Sequence, residues 1–360
     1  PSEGSTSKIK PYDPDKIRVD HQIVNLGAVL EMLEFDEIDL MPDFQRQGGL
    51  WSDIQKSQLI ESILLGLPLP SFYFSVDKDT DKWLVVDGLQ RLSSLKSFWV
   101  DKTLRLSGLE FLESYMGKGF DELSRADLRK ISGFKINQYV IDKETPKEVK
   151  FLIFKRVNTA GLVLTAQEMR HALNQGLPAT LIKELSREDS FIKATNNKLS
   201  PRRQEDRDFV NRFVAFFLLG YEENYEGELD RFLNTGMAKI GEIRIDERQL
   251  LINRFKKSMD ACYKIFKDDC FRKRYKKEDN RKPISKAVFD TISVNLAWLE
   301  DDNLSLLVNR ADSFKKGFID LCNEPTFNSA ISTSTGQKTK VKLRFDTIKD
   351  LINKVIAPNG

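Results

Sequence analysis

Histidine is almost missing from this chain: 360 residues contain two, His21 and His171. Two are too few for a His-rich zinc site, and they leave no room for the multi-histidine ββα nuclease site. His171 follows Arg170 in a helical pattern and reads as a surface or half-buried polar residue rather than a base. Cysteine is scarce too, with Cys262, Cys270 and Cys322 in an odd number and without CxxC spacing. No disulfide framework or Cys-based zinc knuckle is expected, and with no signal-type leader the expected home is a reducing cytoplasm. The longest apolar run, Phe213 to Leu219, has seven residues where a bilayer span needs about 20, so no membrane helix is expected. Charge of one sign is not in excess: 57 Lys plus Arg against 54 Asp plus Glu give +3, which forces no polyanionic partner. What is abundant is apolar material, 40% of residues with 24 Phe. That is enough for a sizeable core, and the length suits two domains.

Residues 1–16 lack periodicity and read as a disordered leader, taken to 18. From Ile23 to Leu33 a short helical pattern (Leu26, Val29, Leu30, Leu33) leads into an extended Ile38 to Met41, closed by Pro42. Ser52 with Gln55 forms a capping box for a helix carrying Leu59, Ile60, Ile63 and Leu64, and Gly66 with Pro68 ends it. Phe72 to Val76 and Trp83 to Val86 are β-rich runs around a turn at Asp77 to Asp81. The second run feeds directly into Asp87-Gly88-Leu89-Gln90-Arg91, after which Leu92, Leu95, Phe98 and Trp99 recur at helical spacing. A strand-to-helix junction is therefore predicted there. Lys135 to Ile141 is a further strand, Thr145 to Glu148 opens a helix, and Thr165 to Glu168 repeats the capping box after a break at Val157 to Gly161. Beyond residue 179 long amphipathic patterns dominate (Phe209 to Leu219, Leu229 to Ile240, Leu250 to Phe271, Ile284 to Leu299, Leu304 to Leu321). A short extended piece, Val341 to Phe345, and a last helix to Ile356 finish the chain.

Three polar clusters carry candidate chemistry. A glycine at a strand-to-helix junction lets backbone N–H groups approach an anion, and a helix N-terminus favours negative charge. Phosphate could dock at Gly88, with Arg91 as a bidentate fork, Gln90 as an amide donor, and Asp87 holding Mg²⁺ (or Mn²⁺) or orienting water. Asp-Gly is also a common turn, so a plain turn with a cap fits the same residues. Arg46, in the loop from Pro42 to Leu50, is either a surface cation or a second phosphate contact. Arg156 and Asn158, with Gly161, form either a structural loop or a base or sugar contact.

Together these segments resemble the large bacterial family known as domain of unknown function 262. The resemblance rests on Pro42-Asp43-Phe44-Gln45-Arg46 with Trp51, on Leu59 to Pro70, on Val85 to Leu95, and on Phe154 to Glu168, in that order. It covers about residues 23–175. It implies an α+β chain in which residues 19–178 form a ParB/sulfiredoxin-like domain, followed by an all-α domain at 179–360. It also implies a nucleoside-triphosphate-binding and hydrolysing domain like that of GmrSD-type modification-dependent restriction systems, in which the DGQQR segment is the NTPase signature. Asp87, Gly88, Gln90 and Arg91 match that segment. Leu89 departs from it, standing where the pattern has its first Gln; if that Gln positions water or metal, hydrolysis here is weak while binding persists. Restriction systems also need a nuclease, which the two histidines do not provide, so a separate nuclease chain or another site would supply it.

Finally, Phe271 to Lys282 places seven cations in twelve residues. Arg272, Lys273, Arg274, Lys276 and Lys277 could contact a DNA backbone with aromatic help, or simply form a solvated face. The reading is a cytoplasmic defence protein that binds and hydrolyses a nucleoside triphosphate and meets DNA. A non-hydrolysing DNA-binding or regulatory protein and a metal-dependent nickase at Asp87 are its rivals. A homo-oligomer is also open.

Overall fold

The computed structural model describes residues 17–40, 51–78, 80–157 and 165–357. It is a mixed α+β chain with two compact units dividing between Leu173 and Asn174. The leader at 1–16, Met41 to Leu50 with Arg46, and the loop with Asn158 and Gly161 lie outside the described residues.

The first unit is built on a five-stranded mixed sheet. Its strands are β1 (Val19–Asn25), β2 (Ile38–Asp39), β3 (Phe72–Val76), β4 (Trp83–Asp87) and β5 (Lys135–Ile141), in the order β1-β5-β3-β4-β2. β1 runs antiparallel to β5, β5 parallel to β3, β3 antiparallel to β4, and β4 parallel to β2. The helical pattern expected from Ile23 starts later, at α1 (Leu26–Glu34). Ile23 is 63% exposed whereas Leu26, Val29, Leu30 and Leu33 are buried, so Ile23 never belonged to the apolar stripe, and its β-branched side chain suits the strand.

α2 (Asp53–Leu65) begins with the expected reciprocal box: Gln55 N–H donates to Ser52 Oγ (3.3 Å) and Ser52 N–H to Gln55 Oε1 (3.0 Å). It stops at Gly66, whose φ of +76° closes the last turn. α3 (Leu89–Leu95) continues into one π-turn, Lys96–Val100, and α4 (Arg125–Gly133) leads into β5. One face of the sheet, with Phe72, Phe74, Val85 and Ile136, shares a core with α1, α2, α3 and α4. The other, with Val86 and Ile141, packs on Phe151 and Phe154 of α5 (Lys147–Val157) and Met169 of α6 (Ala166–Leu173). The second capping box is present: Thr165 N–H donates to Glu168 Oε2 and Glu168 N–H to Thr165 Oγ1. His171 is 8% exposed, buried rather than on the surface, because Gln167 to Leu173 of this short helix are all buried.

Glu61, on α2, is buried yet charged, because its carboxylate accepts the backbone N–H groups of Glu110 (3.1 Å), Phe111 (2.7 Å) and Leu112 (2.8 Å). Burial pushes its pKa up, but the three N–H donors together outweigh burial and hold it below 4.5. A carboxyl depressed on folding stabilises the fold above its unfolded pKa and loses that contribution as pH falls through the folded value. Glu61→Gln should therefore destabilise the first unit by about 1–3 kcal/mol at pH 7. In urea titrations across pH, the gap to the parent should shrink below pH 4.5; a gap independent of pH would contradict this anchor.

The second unit is helical: α7 (Leu177–Leu185), α8 (Asp189–Ala194), α9 (Glu205–Leu219), α10 (Leu229–Lys239), α11 (Ile245–Phe266), α12 (Lys286–Ala297), α13 (Asp301–Asn309), α14 (Ala311–Asn323), α15 (Pro325–Ser332) and α16 (Lys338–Ile356). The boundary expected after residue 178 falls inside α7. Phenylalanine builds much of the core here, with Phe213 against Phe255 (4.9 Å between centroids) and Phe209 against Phe289 (5.0 Å). The expected Leu304 to Leu321 helix breaks at Arg310, whose guanidinium caps the end of α16 by donating to Val355 O (2.6 Å) and Ala357 O (2.7 Å). The extended piece expected at Val341 to Phe345 is a correction: it lies within α16. Val341, Phe345, Ile348, Ile352 and Val355 are all buried at three- and four-residue spacing, and that long repeat outweighs the local alternation of Val341, Leu343 and Phe345.

Candidate functional site at the end of β4

β4 delivers Asp87 to the edge of the core, and the chain turns at once into α3 through Gly88. Gly88 has φ +103° and lies so close to Phe72 that a Cβ there would sit 2.6 Å from Cδ1 of that ring. Both the backbone angle and the contact require glycine. Gly88→Ala should cost about 2 kcal/mol or more and displace the junction; an unchanged melting temperature would contradict the reading.

Arg91 sits one turn into α3, 8% exposed, and its guanidinium is anchored from several sides. It donates to Pro70 O, to Ser71 O (3.1 Å) and to Asp87 Oδ2 (2.9 Å), and lies over the Phe72 ring at 4.3 Å. Burial lowers its pKa and the Asp87 charge opposes that shift. The fork expected for phosphate thus grips this chain's own carbonyls and Asp87. Asp87 keeps a 32% exposed side chain, and its Oδ1 has no hydrogen bond among the described residues. In strand register it faces Tyr73, which pairs with Tyr139, which pairs with His21. These three rings stack at 4.8 and 4.6 Å. The Tyr73 hydroxyl is harder to ionise because of burial, then the nearby Tyr139 and Asp87.

Gln90 points elsewhere. Its Oε1 accepts the Trp51 N–H at 3.0 Å, and it lines a cleft of about 290 Å³ with Ser93, Lys96, Ser97, Lys56 and Asp39. Lys56 pairs with Asp53 (2.9 Å) and Lys96 with Asp101 (2.6 Å). The structure therefore joins Asp87, Gly88 and Arg91 in one cluster and sends Gln90 into a neighbouring cleft. Arg156 is exposed on the last turn of α5. Lys56, Ser93 and Lys96 escaped the sequence reading, although Gln90, Ser93 and Ser97 at helical spacing form a polar stripe that could have exposed them. Leu89 is half-buried and packs on the apolar core.

A Mg²⁺ ion needs only one or two protein carboxylates when phosphates and water complete its shell. Among the described residues no group of three or more His, Cys, Asp or Glu could hold a metal, but Asp87 Oδ1 alone fits that limited role.

In the basic run of the second unit, Arg272 donates to Lys282 O (2.5 Å) and Asp268 O (3.3 Å), and Arg274 to Asp269 (2.5 Å) and Asp279 O. Lys273 donates to Ser332 Oγ (2.8 Å). These cations hold the loop together; Lys276 and Lys277 remain exposed.

Residues 29–175 match the family model described as the GmrSD restriction endonuclease N-terminal domain. No curated protein and no solved structure matches the chain. The matched segment runs from within α1 through α6, with the Asp87 junction and the five-stranded sheet apart from β1, and over that stretch the chain is similar to the GmrSD restriction endonuclease N-terminal domain family.

Proposed function

We propose that the first unit binds a nucleoside triphosphate with Mg²⁺ or Mn²⁺ at the Asp87 junction and hydrolyses it, within a restriction system directed at foreign or modified DNA. The observation that carries this reading is Asp87, held by Arg91 through one oxygen while its side chain stays 32% exposed, three residues along the chain from Gln90 in its cleft. Asp87 would hold the metal, which would neutralise phosphate charge. Lys56 and Lys96 would meet the phosphates, Gln90 would orient the triphosphate from the cleft wall, and Arg91 would fix the aim of Asp87 without touching the ligand. Arg46, Arg156 and Asn158 remain proposed nucleotide contacts, and the sheet is proposed to be of the ParB/sulfiredoxin-like type. A separate nuclease chain would cut the DNA. Phosphate release from each nucleoside triphosphate, with and without Mg²⁺, tests turnover; plasmid nicking with Mn²⁺ tests the nickase rival.

Leu89 bears on turnover. Because it packs on the core, Leu89→Gln should bury an amide at about 1–3 kcal/mol and lower thermal stability without raising turnover. A tenfold rise in turnover, about 1.4 kcal/mol of barrier, would instead favour a chain that binds without hydrolysing.

DNA contact is proposed through Lys276 and Lys277. Replacing both with Ala should flatten the fall of log K with log salt by about 0.9 per lost phosphate contact, whereas Arg272→Ala and Arg274→Ala should chiefly destabilise the loop. A parent protein that shifts no DNA at low salt would end this part of the proposal.

A further inference from the structure

β1 is an edge strand of seven residues, Val19 to Asn25, paired residue for residue with β5 and with nothing on its other side among the described residues. Natural sheets blunt such edges with lysine, proline, a bulge or brevity. The opposite edge obeys this rule, since β2 has two residues. β1 carries one charge, Asp20, but no Lys, no Pro and no bulge. Alternate positions on one face leave Val19 42% and Ile23 63% exposed, with His21 exposed between them.

We infer that the β1 edge is an interface with a second copy of this chain, the two β1 strands pairing antiparallel about a two-fold axis at His21. In that register Val19 faces the partner copy's Ile23, Asp20 faces Gln22, Arg18 faces Val24, and the two His21 rings meet. Both exposed apolar residues gain apolar partners and no carboxylate faces a carboxylate. The stacked row of Tyr73, Tyr139 and His21 becomes continuous across the axis, joining the two Asp87 junctions through one ten-stranded sheet. Residues 1–16 are a poorer occupant, since Pro11 and Pro14 lack the N–H that a ladder needs.

Light scattering after size exclusion, over a concentration series of the full chain, is the test. The parent should be dimeric, and Ile23→Lys or Val19→Glu alone should raise the dimer dissociation constant by roughly tenfold, because the two-fold axis counts each cross-strand pair twice. Combining Val19→Glu with Ile23→Lys should restore the dimer, since that register sets each Glu against a Lys. All three variants should keep the parent's melting behaviour as monomers, both sites being exposed. A parent that stays monomeric at every concentration, single variants that remain fully dimeric, or a double variant that remains monomeric would each overturn the inference.

Discussion

Asp290→Ala should cost the second unit about 4–5 kcal/mol, enough to leave up to about half of it unfolded at room temperature where its stability lies at the low end for a domain. Asp290 is fully buried between two arginines. Arg212 donates to it twice (2.8 and 2.5 Å), and Arg344 approaches its Oδ2 at 3.4 Å while also donating to Thr291 Oγ1 (3.1 Å) and Thr335 O. One carboxylate thus serves two buried guanidiniums, and removing it strands both in the core. Burial already pushes Arg344 down to about 10, with Asp290 opposing the shift. Arg344 is therefore the less supported cation, and Arg344→Met should cost clearly less than Asp290→Ala. Urea unfolding followed by circular dichroism reads both variants. Equal stability of Asp290→Ala and the parent would contradict the network's role, and adding Arg212→Leu and Arg344→Met to Asp290→Ala should recover most of the loss.

Arg91→Ala should destabilise the first unit by about 3 kcal/mol. It would remove a charged donor from Pro70 O and Ser71 O, at about 1.5–3 kcal/mol for each such hydrogen bond and less where water replaces it, and would free Asp87 and the Phe72 face. Asp87 is partly exposed, so water compensates part of its loss and the sum stays below that of a fully buried pair. Arg91→Lys should recover only a fraction, since one ammonium cannot span acceptors both on β4 and on the approach to β3. Nucleotide affinity should fall by about tenfold or more in the folded fraction, through the loosened Asp87. Full stability in Arg91→Ala would show that the guanidinium is not the strut its contacts describe.

The contrast between these two sites shows what the sequence makes legible. The capping boxes at Ser52 and Thr165, the glycine stop at Gly66, and the passage of Trp83 to Asp87 into a helix are local devices, complete within four or five residues, and could be read directly. The motif at Asp87 to Arg91 was equally visible, but the direction of each side chain was not. Whether Arg91 faces a ligand or Pro70 depends on β3 arriving beside it, a contact across 21 residues. Glu61 was unreadable for the same reason, because its three donors lie about 50 residues away. β1 was missed because it is almost wholly exposed, so no alternation of buried and polar positions marks it. The strand expected at Val341 to Phe345 failed because a five-residue window hid a longer helical repeat.

The most direct test of the nucleotide assignment is calorimetric titration of each nucleoside triphosphate with Mg²⁺, together with phosphate release, on the parent and on Asp87→Asn. The amide can still accept from Arg91 but is a poor ligand for a hard cation, so the unfolding midpoint should barely move. The account expects the parent to bind at least one triphosphate in a Mg²⁺-dependent way, and Asp87→Asn to lose at least tenfold in phosphate release. Equal turnover by the two proteins, or a parent that binds no triphosphate, would contradict it.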